Sequence, residues 1–364
     1  MPRPSLRSLT IRGFKTIREL QDFEPGRITV LIGPNGAGKS NFLSFFQMLP
    51  RVLNGGLQLY VGVQGGASSL LHDGPSTTRE IEAEIQIADE RASVYGFRLT
   101  YAARDTLVFA DEWHRPLLPS TVGPRESSAG HTEGKLAADL WDGDNTARGL
   151  VEVLGPIIVH HFGNTSPQSR IRAKWSADDG MELKEDGANL APFLHRLQIY
   201  EPPYYRRIVE TLRLILPFFA QFDLQPESGY LLLQWRELGS DRVFDASQAA
   251  DGMLRTMALV ALLQQPENEL PNVLILDEPE LGLHPYAIEV LAALIQSASQ
   301  HTQVIVATQS VLLIDRFEPH DIVVTERTGR ESVFRRLNDS ELSEWREKYT
   351  LSELWEKNVL GGRP

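Results

Sequence analysis

The segment GPNGAGKS (33–40) restricts the fold of this chain more than any other feature of its sequence. It matches the pattern G-x-x-x-x-G-K-[ST], with a predicted β-strand at 27–33 and a predicted apolar helix from about 39 to 53. Its glycines allow backbone N–H groups to fold around phosphate oxygens at the start of a helix. The segment therefore predicts a P-loop in an α/β protein, with Lys39 reaching the β- and γ-phosphates and Ser40 offering a hydroxyl to Mg²⁺. The other predicted nucleotide-binding residues of this loop are Asn35, Gly36, Ala37, Gly38 and Asn41.

Two carboxylates follow an apolar strand in the segment LILDEP (274–279). Active sites of parallel sheets lie at the carboxyl ends of the strands, so both side chains are predicted there. We expect Asp277 to hold Mg²⁺ through a water molecule, and Glu278 to orient the attacking water or accept its proton. Gln309, in the segment ATQS directly after the predicted strand QVIVA (303–307), is expected near the γ-phosphate. The alternative is ordinary polar strand ends, with Asp277 as a helix N-cap.

The composition excludes several classes of protein. The 364 residues include no cysteine, which excludes disulfides, thiolate metal sites and cysteine catalysis. No run of 18 apolar residues occurs, and the opening residues MPRPSLRSLTIRGF lack the apolar core of a signal peptide, so we expect a cytoplasmic protein with no membrane contact. The net charge of −12 argues against general binding of polyanions. A DNA contact would need a local patch, for which the basic, acid-free residues 1–18 are one candidate; a solvated edge is the other interpretation.

The remaining pattern predicts an α/β fold in three parts. Period-two alternation from about 78 to 114 predicts an antiparallel meander, and residues 187–219 predict helices split near EPP at 201–203. We assign 1–76 to the N-terminal part of an ATPase core, 77–245 to the meander and an inserted helical region, and 246–364 to the C-terminal part of the core.

The order of the motifs resembles the ATPase head of ABC-type proteins. After the P-loop and a long interval come ADGMLR (250–255), LILDEPELGLHP (274–285) and VIVATQS (304–310). The resemblance implies an ABC-type P-loop ATPase head of the RecF/SMC type, with a mixed sheet, an antiparallel β-meander and an inserted helical lobe. It also implies ATP and Mg²⁺ as cofactors.

Further segments resemble one branch of that superfamily. LTIRGFKTIREL (9–20) is similar to the RecF, SMC and OLD proteins and unlike transporter subunits. DGANLAPFLHRL (186–197) and YTLSELWEKNVLGGRP (349–364) resemble the stand-alone bacterial RecF-like AAA ATPases of the AAA_21 group. The resemblance covers essentially the whole chain.

The resemblance implies a homodimer or higher oligomer in which the signature segment of one subunit closes over ATP held by the other. Asp251, Gly252 and Arg255 are the residues of this chain to which that role is carried over. Ala250 stands where such segments have a serine that donates its hydroxyl to the γ-phosphate. Losing one charge-assisted hydrogen bond costs roughly 1.5–3 kcal/mol, which weakens dimerisation without abolishing it. A shifted register that uses Ser247 is the alternative.

Two further features concern the nucleotide itself. Gln309 stands where the wider superfamily has a histidine; a glutamine cannot take a proton but can orient water. Phe14 or Arg12 could flank adenine by analogy, although a phenylalanine in the core explains Phe14 equally well.

The resemblance also implies a glutamine in the metal shell. Gln64, in the Gly-rich stretch YVGVQGG (60–66), is our candidate, whereas the alternation around Gln86 favours a solvent-facing strand position. The adjacent His160 and His161 point to opposite faces of a predicted strand, so no zinc site is expected.

Three functions are consistent with these motifs. The first is an ATP-hydrolysing dimeric switch that acts with DNA, in repair or in defence against phage and mobile DNA. The second is a slowly hydrolysing sensor scaffold that controls a separately encoded effector, for example a Toprim-type nuclease. The third, the energising subunit of a transporter, is disfavoured by the RecF-like N-terminus.

Overall fold

The computed structural model describes residues 3–117, 124–127, 129–140, 143–346 and 348–362. The strands in this part of the chain are β1 (Ser5–Phe14), β2 (Ile17–Phe23), β3 (Ile28–Ile32), β4 (Glu80–Ala88), β5 (Ser93–Ala102), β6 (Thr106–Pro116), β7 (Arg125–Ser127), β8 (Val159–His160), β9 (Trp175–Ser176), β10 (Phe219–Phe222), β11 (Tyr230–Leu231), β12 (Gln234–Glu237), β13 (Val243–Asp245), β14 (Val273–Asp277), β15 (Gln303–Ala307), β16 (Ile322–Thr328) and β17 (Glu331–Arg336). The helices are α1 (Lys39–Asn54), α2 (Leu57–Val63), α3 (Leu136–Asp139), α4 (Asn145–Leu154), α5 (Leu190–Tyr200), α6 (Pro202–Ile215), α7 (Asp251–Leu263), α8 (Pro285–Ala298), α9 (Val311–Ile314), α10 (Asp339–Arg346) and α11 (Leu351–Glu356).

A six-stranded central sheet carries the predicted motifs, in the strand order β17-β16-β3-β15-β14-β8. The strands β16, β3, β15, β14 and β8 are parallel, and β17 turns back against β16 as an antiparallel edge. All five residues of β3 are buried, as expected for a parallel strand covered on both faces. The sheet is therefore mixed, as predicted.

Successive residues of the central strands enter two different hydrophobic cores. In β3, Val30 and Ile32 belong to one core and Leu31 to the other; in β14, Leu276 and Ile275 divide in the same way. The first core contains the buried faces of α5, α6, α7 and α8, and the second joins α1 to an antiparallel sheet. Because side chains alternate along a strand, one short apolar run can pack against helices on both faces of the sheet.

The predicted meander is part of a six-stranded antiparallel sheet with the order β2-β1-β4-β5-β6-β7. In β4 the buried side chains alternate with exposed ones, because this strand has one face on the second core and one face in water. β1 and β2, from the range 1–76, share this sheet with strands of the range 77–245. We retain the three ranges as a proposal about domain organisation.

The structure adds helices where loops were expected. The Gly-rich composition of YVGVQGG (60–66) predicts a loop, but its first residues belong to α2, which buries Leu57, Tyr60 and Val61 at helical spacing. The Gly-, Ser- and Asp-rich composition of 123–147 predicts a surface loop, but in the described part of this range the chain forms β7, α3 and the start of α4. Between α5 and α6 the break falls at Glu201, and Pro202 begins the second helix, where a missing N–H does no harm.

In the described residues, every helix is too short or too polar to pass through a lipid bilayer.

Candidate functional site

The predicted P-loop connects β3 to α1, and two of its glycines cannot be replaced without a steric collision. Gly33 has φ 151°, and a Cβ there would lie 2.1 Å from the backbone oxygen of Thr325. Gly38 has φ 117°, and a Cβ there would lie 2.0 Å from Ser332 Oγ. Both positions need glycine because the backbone is left-handed and because β16 and β17 pack directly against the loop. The hairpin β16–β17 thus supports the loop from behind.

Lys39 is buried inside the loop that it follows. Its Nζ donates hydrogen bonds to the backbone oxygens of Gly33 at 2.6 Å and Pro34 at 3.2 Å. Burial lowers the pKa of Lys39, and the nearby carboxylates of Asp277 and Glu278 partly oppose that shift. The ammonium group is held at the bottom of the loop, where it can meet phosphate oxygens.

The carboxyl ends of β14 and β15 bring the other predicted residues to this loop. Gln309 Nε2 donates to Glu278 Oε1 at 2.9 Å and to Asn35 Oδ1 at 2.8 Å. Glu278 has φ 47°, a left-handed conformation that costs a non-glycine residue of order 1–3 kcal/mol. Strain of this kind is common at functional sites, because the surrounding structure holds the residue in place.

One cleft collects these side chains. In the described part of the chain it is lined by Thr16, Pro34, Asn35, Gly36, Gly38, Lys39, Ser40, Asn41, Asp277, Glu278, Gln309 and Arg327. Thr16 and Arg327 were not predicted. Thr16 lies behind the loop, where its hydroxyl accepts a hydrogen bond from Asn41 Nδ2 at 2.8 Å. The Asn41 side chain is therefore engaged by Thr16 in this structure. Its contact with nucleotide remains a prediction.

The donor set of the cleft fits a hard divalent cation that arrives with a nucleotide. Ser40 and Asp277 offer a hydroxyl and a carboxylate, the oxygen ligands that Mg²⁺ prefers. No group of three or more His, Asp or Glu that could hold a metal occurs among the described residues.

One residue that contacts Asp277 was not predicted from the sequence. His161, just after β8, has its Nδ1 3.1 Å from the Asp277 backbone oxygen and 3.7 Å from Oδ2. Burial raises the pKa of Asp277, and His161 acts against that shift. The sequence showed only that two adjacent histidines near the end of a predicted strand face opposite sides of it. It excluded a shared zinc site, but it did not reveal the partner of either ring.

Gln64, predicted for the metal shell, does not line the cleft. It is the C-terminal cap of α2, and its Oε1 accepts a hydrogen bond from Lys15 Nζ at 3.3 Å. The prediction drew on the Gly-rich composition of 60–66, whereas this segment begins in α2, whose buried face fixes it. A metal contact of Gln64 therefore stays a prediction. Gln86 lies on β4 opposite Ser8, in the antiparallel sheet.

The two residues considered for adenine do not line the cleft either. Phe14 is fully buried and packs edge-on against Phe45, so the core interpretation holds. Arg12 forms ion pairs with Glu19 and Glu82 on the antiparallel sheet.

The signature-like segment forms the start of α7 and does not line the cleft of its own chain. Asp251 pairs with Arg172 at 2.9 Å. The guanidinium of Arg255 donates to the backbone oxygens of Phe162 at 3.1 Å and Gly163 at 2.8 Å, and also to that of Leu281 at 3.1 Å. In this single chain Arg255 is thus engaged by its own subunit. A role for it at a partner's phosphate remains a prediction.

Ala250 is the N-cap of α7 and provides no side-chain cap. Ser247 is occupied locally, because its hydroxyl donates to Asp245 Oδ1 at 2.5 Å. The alternative register based on Ser247 would have to break this bond.

With the site defined, comparison with known proteins identifies the family. Residues 28–315 match the model described as "AAA domain, putative AbiEii toxin, Type IV TA system". The chain belongs to this family, the AAA_21 group. No curated protein matches it.

Solved structures with the same architecture include heads of SMC proteins. An SMC head bound to the C-winged helix domain of ScpA superposes with a TM-score of 0.62 at 16% identity, over 93% of this chain and 99% of that one. An Smc head from Pyrococcus furiosus, bound to the C-terminal domain of ScpA, gives 0.60 at 16% identity over 95% and 99%. The head from Thermotoga maritima gives 0.51 at 15% identity over 92% and 99%. The fold is therefore that of an ABC-type P-loop ATPase head, as predicted.

Proposed function

We propose that this AAA-family protein binds and hydrolyses ATP with Mg²⁺, and that it works as a dimeric switch. The observation that supports this most directly is the single cleft that gathers Lys39, Ser40, Asp277, Glu278 and Gln309. These residues come from three separate stretches of the chain, and each is of the type that phosphoryl transfer needs. A phosphate-binding loop alone would support binding; the carboxylates at the end of β14 support hydrolysis.

Each residue has a separate task in the proposed reaction. Backbone N–H groups of the P-loop and Lys39 bind the phosphates, and Ser40 and Asp277 hold the metal. When bound, Mg²⁺ neutralises charge on the phosphate oxygens. Glu278 accepts a proton from the attacking water, and Gln309 helps to orient that water. The hydrogen bond between Gln309 and Glu278 supports this pairing of roles.

The location of the signature-like segment outside the cleft of its own chain supports the proposed dimer. Among the described residues that line it, none comes from the segment 246–264. A second subunit that faces the first would bring Gly252 and the amino end of α7 to the nucleotide, where N–H groups and the helix dipole favour phosphate. We therefore propose that Asp251, Gly252 and Arg255 act across the interface.

For the biological role we propose the RecF/OLD-like class, in DNA repair or defence against phage and mobile DNA. The family description, which names a toxin–antitoxin system, supports a role in defence. DNA and a separately encoded effector nuclease are the partners that this class suggests. The second candidate is a scaffold that hydrolyses ATP slowly and controls such an effector. Ala250 supports it, since the usual hydroxyl at the partner's phosphate is missing.

The deciding experiment measures ATP turnover by wild-type protein and by Glu278→Gln over a range of protein concentrations. We expect the rate per subunit to rise with concentration, because each site needs a partner. Glu278→Gln should lower turnover by about 10²–10⁴-fold, as expected for loss of a general base, and leave ATP bound. Lys39→Ala is the binding control and should abolish ATP binding.

Each alternative result has a distinct meaning. ATP affinity unchanged in Lys39→Ala would remove the P-loop assignment. Turnover retained in Glu278→Gln would remove Glu278 as the base. Bound ATP with no turnover in wild-type protein would favour the scaffold, and stimulation by added DNA or by a co-encoded protein would then show which partner completes the site.

A further inference from the structure

Glu280 is a buried carboxylate close to the cleft that the proposed mechanism does not use. Its Oε1 accepts a hydrogen bond from Thr308 Oγ1 at 2.5 Å and another from the backbone N–H of Gln309 at 3.1 Å. Its Oε2 is buried without a partner among the described residues. Burial raises the pKa of Glu280, and the hydrogen bond from Thr308 opposes the rise. Burying a carboxylate is unfavourable unless its hydrogen bonds compensate, so its two partners indicate its role.

The segment that Glu280 holds lies between two regular elements. β15 ends at Ala307 and α9 begins at Val311. Between them, the Thr308 N–H donates to the backbone of β3, and the Ser310 N–H donates to Thr308 Oγ1 at 2.9 Å. The Gln309 N–H donates to Glu280. The backbone position of Gln309 therefore depends on a side chain from the turn after β14.

Two carboxylates from that one turn hold Gln309 at both ends. Glu278 accepts the side-chain N–H of Gln309 at 2.9 Å, while Glu280 accepts its backbone N–H at 3.1 Å. The left-handed conformation of Glu278, φ 47°, and Pro279 after it turn the chain between the two acceptors. Residues 278–280 thus hold the backbone N–H of Gln309 and, together with Asn35, its side-chain amide.

We propose that Glu280 is a positioning residue for ATP hydrolysis. It fixes the backbone of Gln309 so that the amide of this residue points towards Glu278 and Asn35 in the cleft. This inference rests on the proposed function, because Gln309 needs such alignment only if a water is oriented there. Glu280 does not line the cleft, so its removal should leave ATP binding intact.

The test is a double-mutant cycle on kcat with Glu280→Ala, Gln309→Ala and the double variant, together with the conservative Glu280→Gln. Glu280→Ala should lower kcat about tenfold to a hundredfold, since a misplacement of about 1 Å at a reacting centre costs that much. Affinity for a non-hydrolysable ATP analogue should stay within about twofold, because uniform binding is not affected. Glu280→Gln should restore most of the rate, because its amide oxygen can accept both hydrogen bonds. In the Gln309→Ala background, Glu280→Ala should have no further effect.

A purely structural role would give a different pattern. The loss from Glu280→Ala would persist in full in the Gln309→Ala background and would be accompanied by weaker ATP binding; that result overturns the proposal. Hydrogen exchange of the Gln309 amide is a second measurement, independent of turnover. It should speed up in Glu280→Ala and not in Glu280→Gln, and unchanged exchange in Glu280→Ala also overturns the proposal. A wild-type protein without turnover would count against the proposed function, while the exchange measurement would still decide whether Glu280 holds Gln309.

Discussion

Two adjacent histidines at the end of β8 have opposite surroundings. His160 is almost fully buried, and its Nδ1 has no hydrogen-bond partner among the described residues. The side chain of His161 is 43% exposed and lies beside Asp277. The alternation of side chains along a strand explains why one imidazole is buried and its neighbour is exposed.

Burial lowers the pKa of His160 to about 4, from 6.5 in an unfolded chain. Between these pH values the unfolded chain takes up a proton and the folded chain does not. The free energy of unfolding should therefore fall as the pH is lowered from 7.5 to 5, with about 2 kcal/mol due to His160. Urea unfolding of wild-type protein and His160→Gln at both pH values measures this contribution.

Glutamine does not titrate, so His160→Gln should lose this part of the pH dependence of the free energy of unfolding. His301→Gln, which removes an exposed imidazole at the other end of the sheet, is the matched control and should keep it. Parallel pH profiles for wild-type protein and His160→Gln would show that His160 is not the source.

At the scale of elements, the hairpin β16–β17 and the P-loop form one unit. Ser332 Oγ on β17 donates to the Ala37 backbone oxygen at 2.7 Å and lies 2.6 Å from Thr16 Oγ1. The start of α7 is packed in a similar way on the turn after β14, since a Cβ on Gly252 would lie 2.6 Å from the Gly282 backbone oxygen. In the proposed dimer, the P-loop and the start of α7 would contact the nucleotides. Each of these two segments is held in place by a neighbouring element.

Gly38→Ala should separate the P-loop from this hairpin. The new Cβ would meet Ser332 Oγ at 2.0 Å, in addition to the strain of a left-handed alanine. We expect ATP affinity to fall at least about tenfold. The loop must shift to relieve the collision, and a shift of that size moves its N–H groups out of position for the phosphate oxygens. Calorimetric titration with a non-hydrolysable ATP analogue measures the loss.

Gly55→Ala is the matched control. Gly55 has φ 72° at the end of α1, with nothing within 4 Å of a Cβ, so that variant carries the strain without the collision. Equal ATP affinities for the two variants would mean that contact with the hairpin does not control the loop.

At the scale of the whole molecule, the nucleotide cleft and the signature-like segment are separate surfaces. The cleft lies at the carboxyl ends of β3, β14 and β15, and the segment begins α7 on the adjoining helical layer. An assembly with two-fold symmetry can join these surfaces twice, once in each direction. Ala250 would then lie where one hydroxyl per site could strengthen the dimer.

Ala250→Ser should tighten the ATP-dependent dimer. One charge-assisted hydrogen bond of about 1.5 kcal/mol corresponds to roughly tenfold per site. Sedimentation of the Glu278→Gln protein with ATP, with and without Ala250→Ser, measures the dimer dissociation constant. Ser247→Ala is the control and should leave it unchanged, because that hydroxyl is already bonded to Asp245. A weaker dimer in Ser247→Ala, with no gain from Ala250→Ser, would favour the shifted register.

Residues close together in the sequence were the predictable part of the candidate site. Lys39 and Ser40 follow directly from the P-loop pattern, and Asp277, Glu278 and Gln309 follow from two apolar strands that end in polar residues. Gln64 does not line the cleft, because the buried face of α2, which a glycine-rich composition concealed, fixes this segment; its role in the metal shell stays a prediction. These outcomes reflect the range of the interactions: spacing along the chain is visible in the sequence, whereas packing of a short helix is not.

The sequence by itself determined the P-loop and the parallel strands around it, because backbone sterics and side-chain periodicity act over a few residues; the family followed from the resemblance of its motifs. Only the tertiary structure decided that β8 lies beside β14, which brings His161 to Asp277. It also decided that Glu280 turns away from the cleft to hold Gln309. Both outcomes depend on pairing and burial between distant segments, and no local pattern of residues encodes which distant partner a strand end or a turn will meet.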